Sequence, residues 1–136
     1  MTKEEAIDLI RDAGFGFLAT TEGNQPRVRP MMPYLTDAGE ILVALLGRSR
    51  TINDVKKNPQ VEICFVDRKM WYCRLAGKAK MSNDVAKKTI LWDNIPMLKQ
   101  YFGGPTDPNF SLLEMDINSV EAMTPHQKTP ELVNIK

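Results

Sequence analysis

Two prolines, Pro30 and Pro33, lie within a stretch that otherwise has the alternating pattern of a β-strand. Over residues 25–35 the alternate side chains form two sets, which are Val28, Pro30, Met32 and Tyr34, and Arg27, Arg29, Met31 and Pro33. Proline has no backbone N–H, so each proline removes one donor from the hydrogen-bond ladder of a sheet. We therefore predict that this strand lies at the edge of a sheet or carries a bulge.

Further short strands surround this stretch. Residues 15–21 are rich in β-forming side chains and end at the turn signal Glu22-Gly23-Asn24. A second turn, at residues 36–39, leads into residues 41–46, which are apolar on both faces. Such a strand is buried on both sides, either inside a barrel or beneath a partner subunit.

Residues 61–66 and 70–81 have the pattern of a β-hairpin. If Asp67 and Met70 flank a two-residue turn, Cys64 lies opposite Cys73. A redox disulfide between them is one alternative, and two buried free thiols in a reducing compartment are the favoured one. Gly77, inside the longer strand, predicts a bulge or a close approach of another backbone segment.

Three helices are predicted from their start and stop signals. Thr2 and Glu5 form a capping box, and Gly14 ends this first helix. The second helix follows residues 48–51 and ends at Asn58-Pro59, and the third begins after residues 82–84 and breaks at residues 94–96. A short helical turn over residues 97–102 and a last strand over 110–117 follow; that strand extends to residue 123 after a kink at 118–119. From residue 124 onwards there is no clear pattern.

Six strands in this order predict a mainly β domain with peripheral helices. The first three are joined by tight turns, whereas a parallel fold needs a crossover after most strands, so we predict a closed or nearly closed antiparallel barrel.

A chain of 136 residues is expected to form a single domain, residues 1–136. No run approaches the ~20 apolar residues of a membrane helix, and the N-terminus has no apolar signal core, so we expect a cytoplasmic location.

The strongest candidate site is the segment Arg48-Ser49-Arg50-Thr51, which opens the second helix. A helix N-terminus offers unpaired backbone N–H groups and a partial positive charge. Two guanidinium groups and two hydroxyls at this place form a compact anion site. A capped surface helix with two solvated arginines explains the same residues equally well.

Other kinds of site find little support. A net charge of +1 gives no argument for nucleic acid or an anionic membrane. Cys64 and Cys73 lack the spacing of metal ligands, and a single His126 cannot form a cluster, so no metal site and no catalytic residue is predicted. A groove for single-stranded nucleic acid would have to be built from Lys78, Lys80, Lys87 and Lys88 with Trp71, Tyr72 and Trp92. The low net charge argues against it.

The order of these segments resembles the pyridoxamine 5′-phosphate oxidase-like, FMN-binding split-barrel superfamily, and most of all its general-stress and nitroimidazole-resistance branches. The resemblance rests on residues 15–21, 25–31, 41–46, 49–51 and 56–59, and it covers about residues 1–123. It implies a six-stranded antiparallel split β-barrel that binds FMN at the interface of a homodimer.

The resemblance also implies the cofactor contacts. Those along the isoalloxazine ring are Arg29, Pro30, Met31 and Met32 on the second strand and Leu45 and Leu46 at the end of the third. Those at the phosphate are Arg48, Ser49, Arg50 and Thr51. Tyr72 on the fifth strand would add a ring contact, from its own or the partner chain. Many relatives have a lysine in place of Thr51, which leaves Arg50 and Arg48 as the charges for the phosphate.

A flavin carries electrons itself, so the lack of candidate catalytic side chains is compatible with an oxidoreductase. The resemblance implies an FMN-dependent enzyme of the flavin reductase or nitroreductase type that acts on a small redox substrate. The alternatives are a non-catalytic flavin, deazaflavin or haem-binding module, or a redox sensor. Oxidation of pyridoxamine phosphate is not expected, because residues 109–136 contain no arginine to match the family's substrate-binding segment.

Overall fold

The computed structural model describes residues 1–136 and contains eight β-strands, three α-helices and one 3₁₀ helix. The strands are β1 (Gly16–Glu22), β2 (Gln25–Met31), β3 (Tyr34–Leu35), β4 (Glu40–Leu46), β5 (Gln60–Val66), β6 (Tyr72–Ser82), β7 (Phe110–Met123) and β8 (Glu131–Leu132). The helices are α1 (Lys3–Asp12), α2 (Arg50–Lys57) and α3 (Val85–Asn94), and the 3₁₀ helix is Pro96–Gln100. None of them is long and apolar enough to cross a membrane.

All strands belong to one antiparallel sheet. Their order is β2-β1-β5-β6-β7-β4-β3, and β8 pairs with β7. The predicted mainly β, antiparallel class with peripheral helices is confirmed. Six strands have seven or more residues, which matches the predicted six, but the total is eight because β3 and β8 are separate strands of two residues each.

The proline-bearing stretch is at a sheet edge, as predicted, but it forms two strands rather than one. β2 pairs with β1, whereas β3 pairs with β4, and only at Tyr34–Leu42 and Leu35–Ile41. The chain therefore crosses from one edge of the sheet to the other at Met32 and Pro33. Beyond Leu42, β4 pairs with β7 alone, so its other edge has no partner strand.

The main core lies on the inner face of the sheet. Leu18, Ile41, Ile63, Phe65 and Leu75 are among its fully buried side chains. The capping box of α1 forms as predicted, and Ala6, Leu9 and Ile10 pack from this helix into the core. In the C-terminal segment, for which no pattern was predicted, β8 extends the sheet and Ile135 is buried in the same core.

Gly77 marks a bulge, as its position within a strand predicted. The pairing of β6 with β7 shifts between Ala76 and Gly77, and Asn118 is the extra residue on β7 because Ala76 pairs with Ser119 and Gly77 with Ile117. A Cβ atom on Gly77 would lie 1.9 Å from the carbonyl oxygen of Asp116. Glycine is therefore required by this close backbone approach rather than by its own dihedral angles.

The β5–β6 hairpin differs from its predicted register by one residue. Val66 pairs with Tyr72, and Met70 in the connecting loop has a positive φ of 64°. The loop is thus longer than the two-residue turn on which the pairing of Cys64 with Cys73 depended. Cys64 pairs with Arg74 instead, and a slip of one residue places the two cysteines on opposite faces of the sheet.

Both cysteines are free thiols, and the disulfide alternative is wrong because the pairing on which it depended does not form. Cys73 points into the core beside the Met1 sulfur, and burial raises the pKa of this thiol to about 11. Cys64 lies half-buried on the outer face, next to Phe17 of β1.

Helix α3 packs against β4 on the face opposite the main core, where Leu42, Leu91 and Leu112 form part of a second apolar cluster. An ion-pair network anchors this helix. The Lys87 ammonium lies 3.2 Å from a carboxylate oxygen of Glu40 and hydrogen-bonds the buried carboxylate of Glu114. Burial by itself would raise the pKa of Glu114, but hydrogen bonds from Lys87 and Ser82 outweigh burial and lower it below its ordinary value.

We predict that Gly77→Ala lowers the free energy of unfolding by about 3 kcal/mol, because the new methyl group collides with backbone that the bulge holds in place. Urea unfolding followed by circular dichroism measures the change. Gly104→Ala is the control, since nothing lies within 4 Å of the position of its added Cβ, and a change below about 0.5 kcal/mol is expected there. Equal urea midpoints for the two variants would contradict the close approach of Gly77 to the Asp116 carbonyl.

We predict that the Glu114 network loses its stabilising effect in acid. A carboxyl with a lowered pKa in the folded state contributes stability above its unfolded pKa, and that contribution disappears as the pH falls through the folded pKa. The wild type should therefore lose unfolding free energy below the ordinary value of 4.5 more steeply than Glu114→Gln does. At neutral pH this variant should itself be less stable by about 1–3 kcal/mol.

Unfolding free energies measured at a series of pH values check this expectation. Glu131→Gln changes an exposed glutamate on β8 and serves as the control. Parallel pH profiles for the wild type and Glu114→Gln would show that the Lys87–Glu114 contact contributes nothing to stability.

Candidate functional site

A cavity of about 530 Å³ lies between the two unpaired strand edges. Its two long walls come from either side of the gap, and they are formed by Pro30, Met31 and Met32 at the end of β2 and by Ala44, Leu45 and Leu46 at the end of β4. Ten of the thirteen lining residues are hydrophobic. The cavity is within the size range of about 300–1,000 Å³ that is typical of sites for small organic molecules.

The far wall of this cavity was not predicted from the sequence as part of a site. It consists of Met97, Leu98, Tyr101 and Phe102, which belong to or directly follow the 3₁₀ helix, and of Phe15 before β1. Phe102 is held in place by stacking on Phe110, with 4.8 Å between the ring centroids. In the sequence, Leu98, Tyr101 and Phe102 follow Met97 by one, four and five residues. This helical spacing of apolar residues was the available signal, and it predicted only a helical turn.

A second, smaller cavity of about 260 Å³ lies at the start of α2. It is mostly polar, and its lining residues are Glu22, Arg27, Val28, Arg29, Ser49, Arg50, Thr51 and Asp54. Ser49 lines both cavities, so the two meet at the N-terminus of this helix. Together they provide an apolar slot with a cationic end.

The N-terminus of α2 carries the features of an anion site. Ser49 is the N-cap residue, and its hydroxyl accepts a hydrogen bond of 3.3 Å from the backbone N–H of Thr51. No acidic residue occupies the first turn. Arg48 and Arg50 are exposed and form no ion pair within the chain. Their charges add to the partial positive charge of the helix end.

Arg29 approaches the same cavity from β2 and is held by two buried polar side chains. Its Nη1 donates to Thr20 Oγ1 at 2.8 Å, and its Nη2 donates to Asp54 Oδ2 at 3.2 Å. The Thr20 hydroxyl also donates to Asp54 Oδ2, at 3.0 Å. Asp54 and Thr20 were not predicted as site residues, because β1, β2 and α2 are brought together only by the tertiary fold.

Strand β2 has its polar and apolar faces reversed relative to an ordinary surface strand. Arg29 pairs with Leu18 and therefore faces the interior of the barrel. Val28, on the opposite face beside Ala19, is 67% exposed, and Phe17 of the neighbouring strand is 42% exposed. The outer face of β1 and β2 is thus apolar, while the inner face carries a cation.

Ten of the eleven residues predicted to bind a cofactor line one of the two cavities. Arg29 borders the polar cavity rather than the apolar slot where the ring was predicted, and Thr51 is only 1% exposed. Tyr72 lines neither cavity; its hydroxyl donates to the sulfur of Met123 at 3.3 Å.

The residues that entered the alternative interpretations lie elsewhere. His126 is exposed in the C-terminal segment and lines neither cavity, so no imidazole borders the apolar slot. Of the lysines considered for a nucleic-acid groove, Lys87 is in an ion-pair network and Lys88 is buried with its ammonium 5.6 Å from the centre of the Phe110 ring. These two are therefore not part of an exposed basic surface.

Comparison with known proteins gives a consistent result. Residues 2–134 match the sequence profile of the family described as pyridoxamine 5′-phosphate oxidase like. General stress protein 26 of Bacillus subtilis (strain 168) is 28% identical over 135 residues, which are 94% of this chain and 92% of that protein.

Solved structures share the fold. The crystal structure of general stress protein 26 from Bacillus anthracis superimposes with a TM-score of 0.82 at 26% identity, covering 96% of this chain and 95% of that one. A pyridoxamine 5′-phosphate oxidase-related, FMN-binding protein from Nostoc punctiforme superimposes with a TM-score of 0.71 at 18% identity, covering 95% of this chain and 87% of that one.

Proposed function

Because this chain belongs to the pyridoxamine 5′-phosphate oxidase-like family, we propose that it binds FMN, with the ring in the larger cavity and the phosphate in the smaller one. The observation that carries the proposal is the meeting of an apolar slot and a cationic helix N-terminus at Ser49. FMN has the same two parts in the same order, a flat apolar ring and a phosphate joined by a flexible chain.

The apolar slot suits the ring in its lining and in the backbone groups along its edges. Its walls are two strand edges that lack partner strands, so the backbone N–H and C=O groups of β2 and of residues 43–45 that face the gap remain available to the polar rim of a heterocycle. Met31 and Met32 supply soft, adaptable side chains that suit a flat ring.

The smaller cavity fits a phosphate dianion. The Ser49 hydroxyl and the backbone N–H of Arg50 offer neutral donors, and Arg50 and Arg29 offer guanidinium groups. Arg48 borders the larger cavity next to Ser49 and adds a third positive charge nearby. In this proposal Arg50 carries the largest share of the phosphate affinity, because it lines the smaller cavity and, unlike Arg29, pairs with no carboxylate of the chain.

We further propose that the protein is a flavin-dependent oxidoreductase of the flavin reductase or nitroreductase type. A bound flavin supplies the chemistry of hydride or electron transfer. The residues of the chain hold and orient the ring, and Met97, Tyr101 and Phe102 form the wall along which a small apolar substrate would approach. Arg48 is the only charged side chain that lines the slot, and in this proposal it lies near the FMN phosphate. No other cation of the slot is then left for a second phosphate, as in pyridoxamine phosphate.

The second candidate is a non-catalytic module for a flavin or a deazaflavin, since either ligand would present its phosphate to the same helix. Haem is disfavoured, because no histidine borders the slot.

An absorption spectrum of the purified protein separates these cases. Flavin bands would support the first proposal, whereas a Soret band would contradict it and indicate haem. Bound FMN without turnover of quinones, nitro compounds or NAD(P)H would leave the binding proposal and remove the enzymatic one.

We also propose that two copies associate through the outer face of β1 and β2. Phe17 and Val28 are large, exposed and adjacent on this face, and an apolar surface of this kind is typical of protein interfaces. The face adjoins the ring cavity, because Pro30 pairs with Phe17 and also lines the cavity. Tyr72, which lines neither cavity of its own chain, is a candidate contact to the ring bound by the second copy.

We predict that Arg50→Ala weakens FMN binding by about 1.5–3 kcal/mol, which is the usual contribution of a hydrogen bond to a charged group. Titration of the apoprotein with FMN, followed by quenching of flavin fluorescence, measures the dissociation constant. Arg68→Ala, in the exposed β5–β6 loop, is the matched control and should bind as the wild type does. An unchanged constant for Arg50→Ala would place the phosphate elsewhere.

We predict that Val28→Glu converts a dimer into a monomer, because it places a charge in the centre of the proposed apolar interface. Sedimentation velocity gives the mass in solution. Leu132→Glu, at an equally exposed leucine on β8, should leave the mass unchanged. A wild type that sediments as a monomer, or a Val28→Glu variant that stays dimeric, would contradict this interface.

A further inference from the structure

We propose that Asp54 and Thr20 are positioning residues that hold the guanidinium of Arg29 at the phosphate cavity. The inference rests on the proposed function, since it concerns how one cation of that site is oriented. It assigns a role to two buried polar residues that were not predicted as site residues.

Two hydrogen bonds hold the Arg29 guanidinium in place. Its Nη1 donates to Thr20 and its Nη2 donates to Asp54, while Thr20 donates to the same Oδ2 atom of Asp54. Three hydrogen bonds thus close a triangle between β1, β2 and α2. Because Asp54 lies in the helix whose N-terminus forms the cavity, the triangle fixes Arg29 relative to the other groups of the anion site.

Part of the guanidinium stays available to a ligand. An arginine side chain has five N–H donors, and Thr20 and Asp54 engage two of them. Arg29 also lines the cavity with Ser49 and Arg50, and 21% of its side chain is exposed. The remaining donors can therefore reach an anion without breaking the triangle.

Arg29 needs this support because its surroundings on β2 give none. Arg27, Val28 and Pro30 are all exposed, and β2 is an edge strand. An unrestrained arginine side chain loses rotamer entropy when it binds a ligand, and the two anchors remove most of that freedom before the ligand arrives. Pre-organisation of this kind increases affinity without adding a contact.

Asp54 acts through Arg29 rather than through a favourable contact with the phosphate. A carboxylate repels an anion, and the Asp54 side chain is only 5% exposed. The positive charge of Arg29 offsets the negative charge of Asp54. The effect of Asp54 on the site is therefore to orient the Arg29 guanidinium. The opposing possibility is that the carboxylate competes with the phosphate for Arg29, and the two possibilities predict changes of opposite sign when Asp54 is removed.

The test is the ratio of the dissociation constants for riboflavin and FMN, because riboflavin lacks only the phosphate. For Asp54→Ala we expect this ratio to fall by about tenfold with riboflavin binding unchanged. Asp54→Asn keeps an acceptor oxygen in the same place and should lose less than half of that effect on a logarithmic scale. Thr20→Val removes one anchor and should lower the ratio by about threefold.

Two comparisons make the result decisive. In an Arg29→Ala background, Asp54→Ala should cause no further fall in the ratio, because the residue that it orients is gone. An unchanged or increased ratio for Asp54→Ala, or a fall that persists without Arg29, would overturn the inference. If circular dichroism shows that Asp54→Ala does not fold, an unchanged ratio in Thr20→Val overturns it instead. A wild type that binds riboflavin as tightly as FMN would refute the proposed function itself.

Discussion

The gap between β2 and β4 is the constraint on which the rest of the structure depends. Pro30 and Pro33 deprive this part of the chain of two backbone donors. After Met31 the chain leaves β1 and crosses to the edge of β4, where it forms only two pairs. The barrel therefore stays open along the remainder of β4, and the open edges become the walls of the apolar slot.

The connection from β4 to α2 sets the second half of the site. Only Gly47, Arg48 and Ser49 separate the two elements, and the N–H of Gly47 donates to the carbonyl of Asn109 at 2.9 Å. The slot and the helix N-terminus are consequently held at a fixed distance from each other. A ligand with a flat ring and a terminal anion matches that arrangement, whereas a ligand with only one of these parts would leave half of it unused.

The reversed faces of β2 would connect the proposed binding of a cofactor with the proposed association of two copies. The inward arginine, Arg29, meets Asp54 and Thr20 at the anion site, and the outward Val28 lies beside Phe17 on an exposed apolar surface. A strand with one face towards solvent ordinarily has its charged residues on that face and its apolar residues on the face towards the core. Both departures have a reason if an anion binds within the barrel end and a second copy covers the outside.

Local chemistry made much of the fold predictable. The Thr2–Glu5 capping box, the bulge at Gly77 and the N-terminus of α2 each follow from residues close together in sequence. The split of residues 25–35 into two strands was missed, because alternation continues through the crossing and does not reveal which edge a strand joins. The predicted register of β5 and β6 was wrong for a similar reason, since a loop one residue longer is equally compatible with the sequence.

The candidate site was predictable to the same degree. The helix N-terminus and the walls of the slot lie on contiguous segments, and those segments were identified. The Pro96–Gln100 helix, Phe15, Thr20 and Asp54 reach the site only through tertiary packing, and no local pattern indicates a contact of that kind.

A crystal structure of the protein with FMN is the most direct test of the central claim. The ring should lie between Pro30–Met32 and Ala44–Leu46, and the phosphate oxygens should be within hydrogen-bond distance of Ser49 and Arg50. A phosphate bound away from the N-terminus of α2, or a ring outside the gap between β2 and β4, would contradict it.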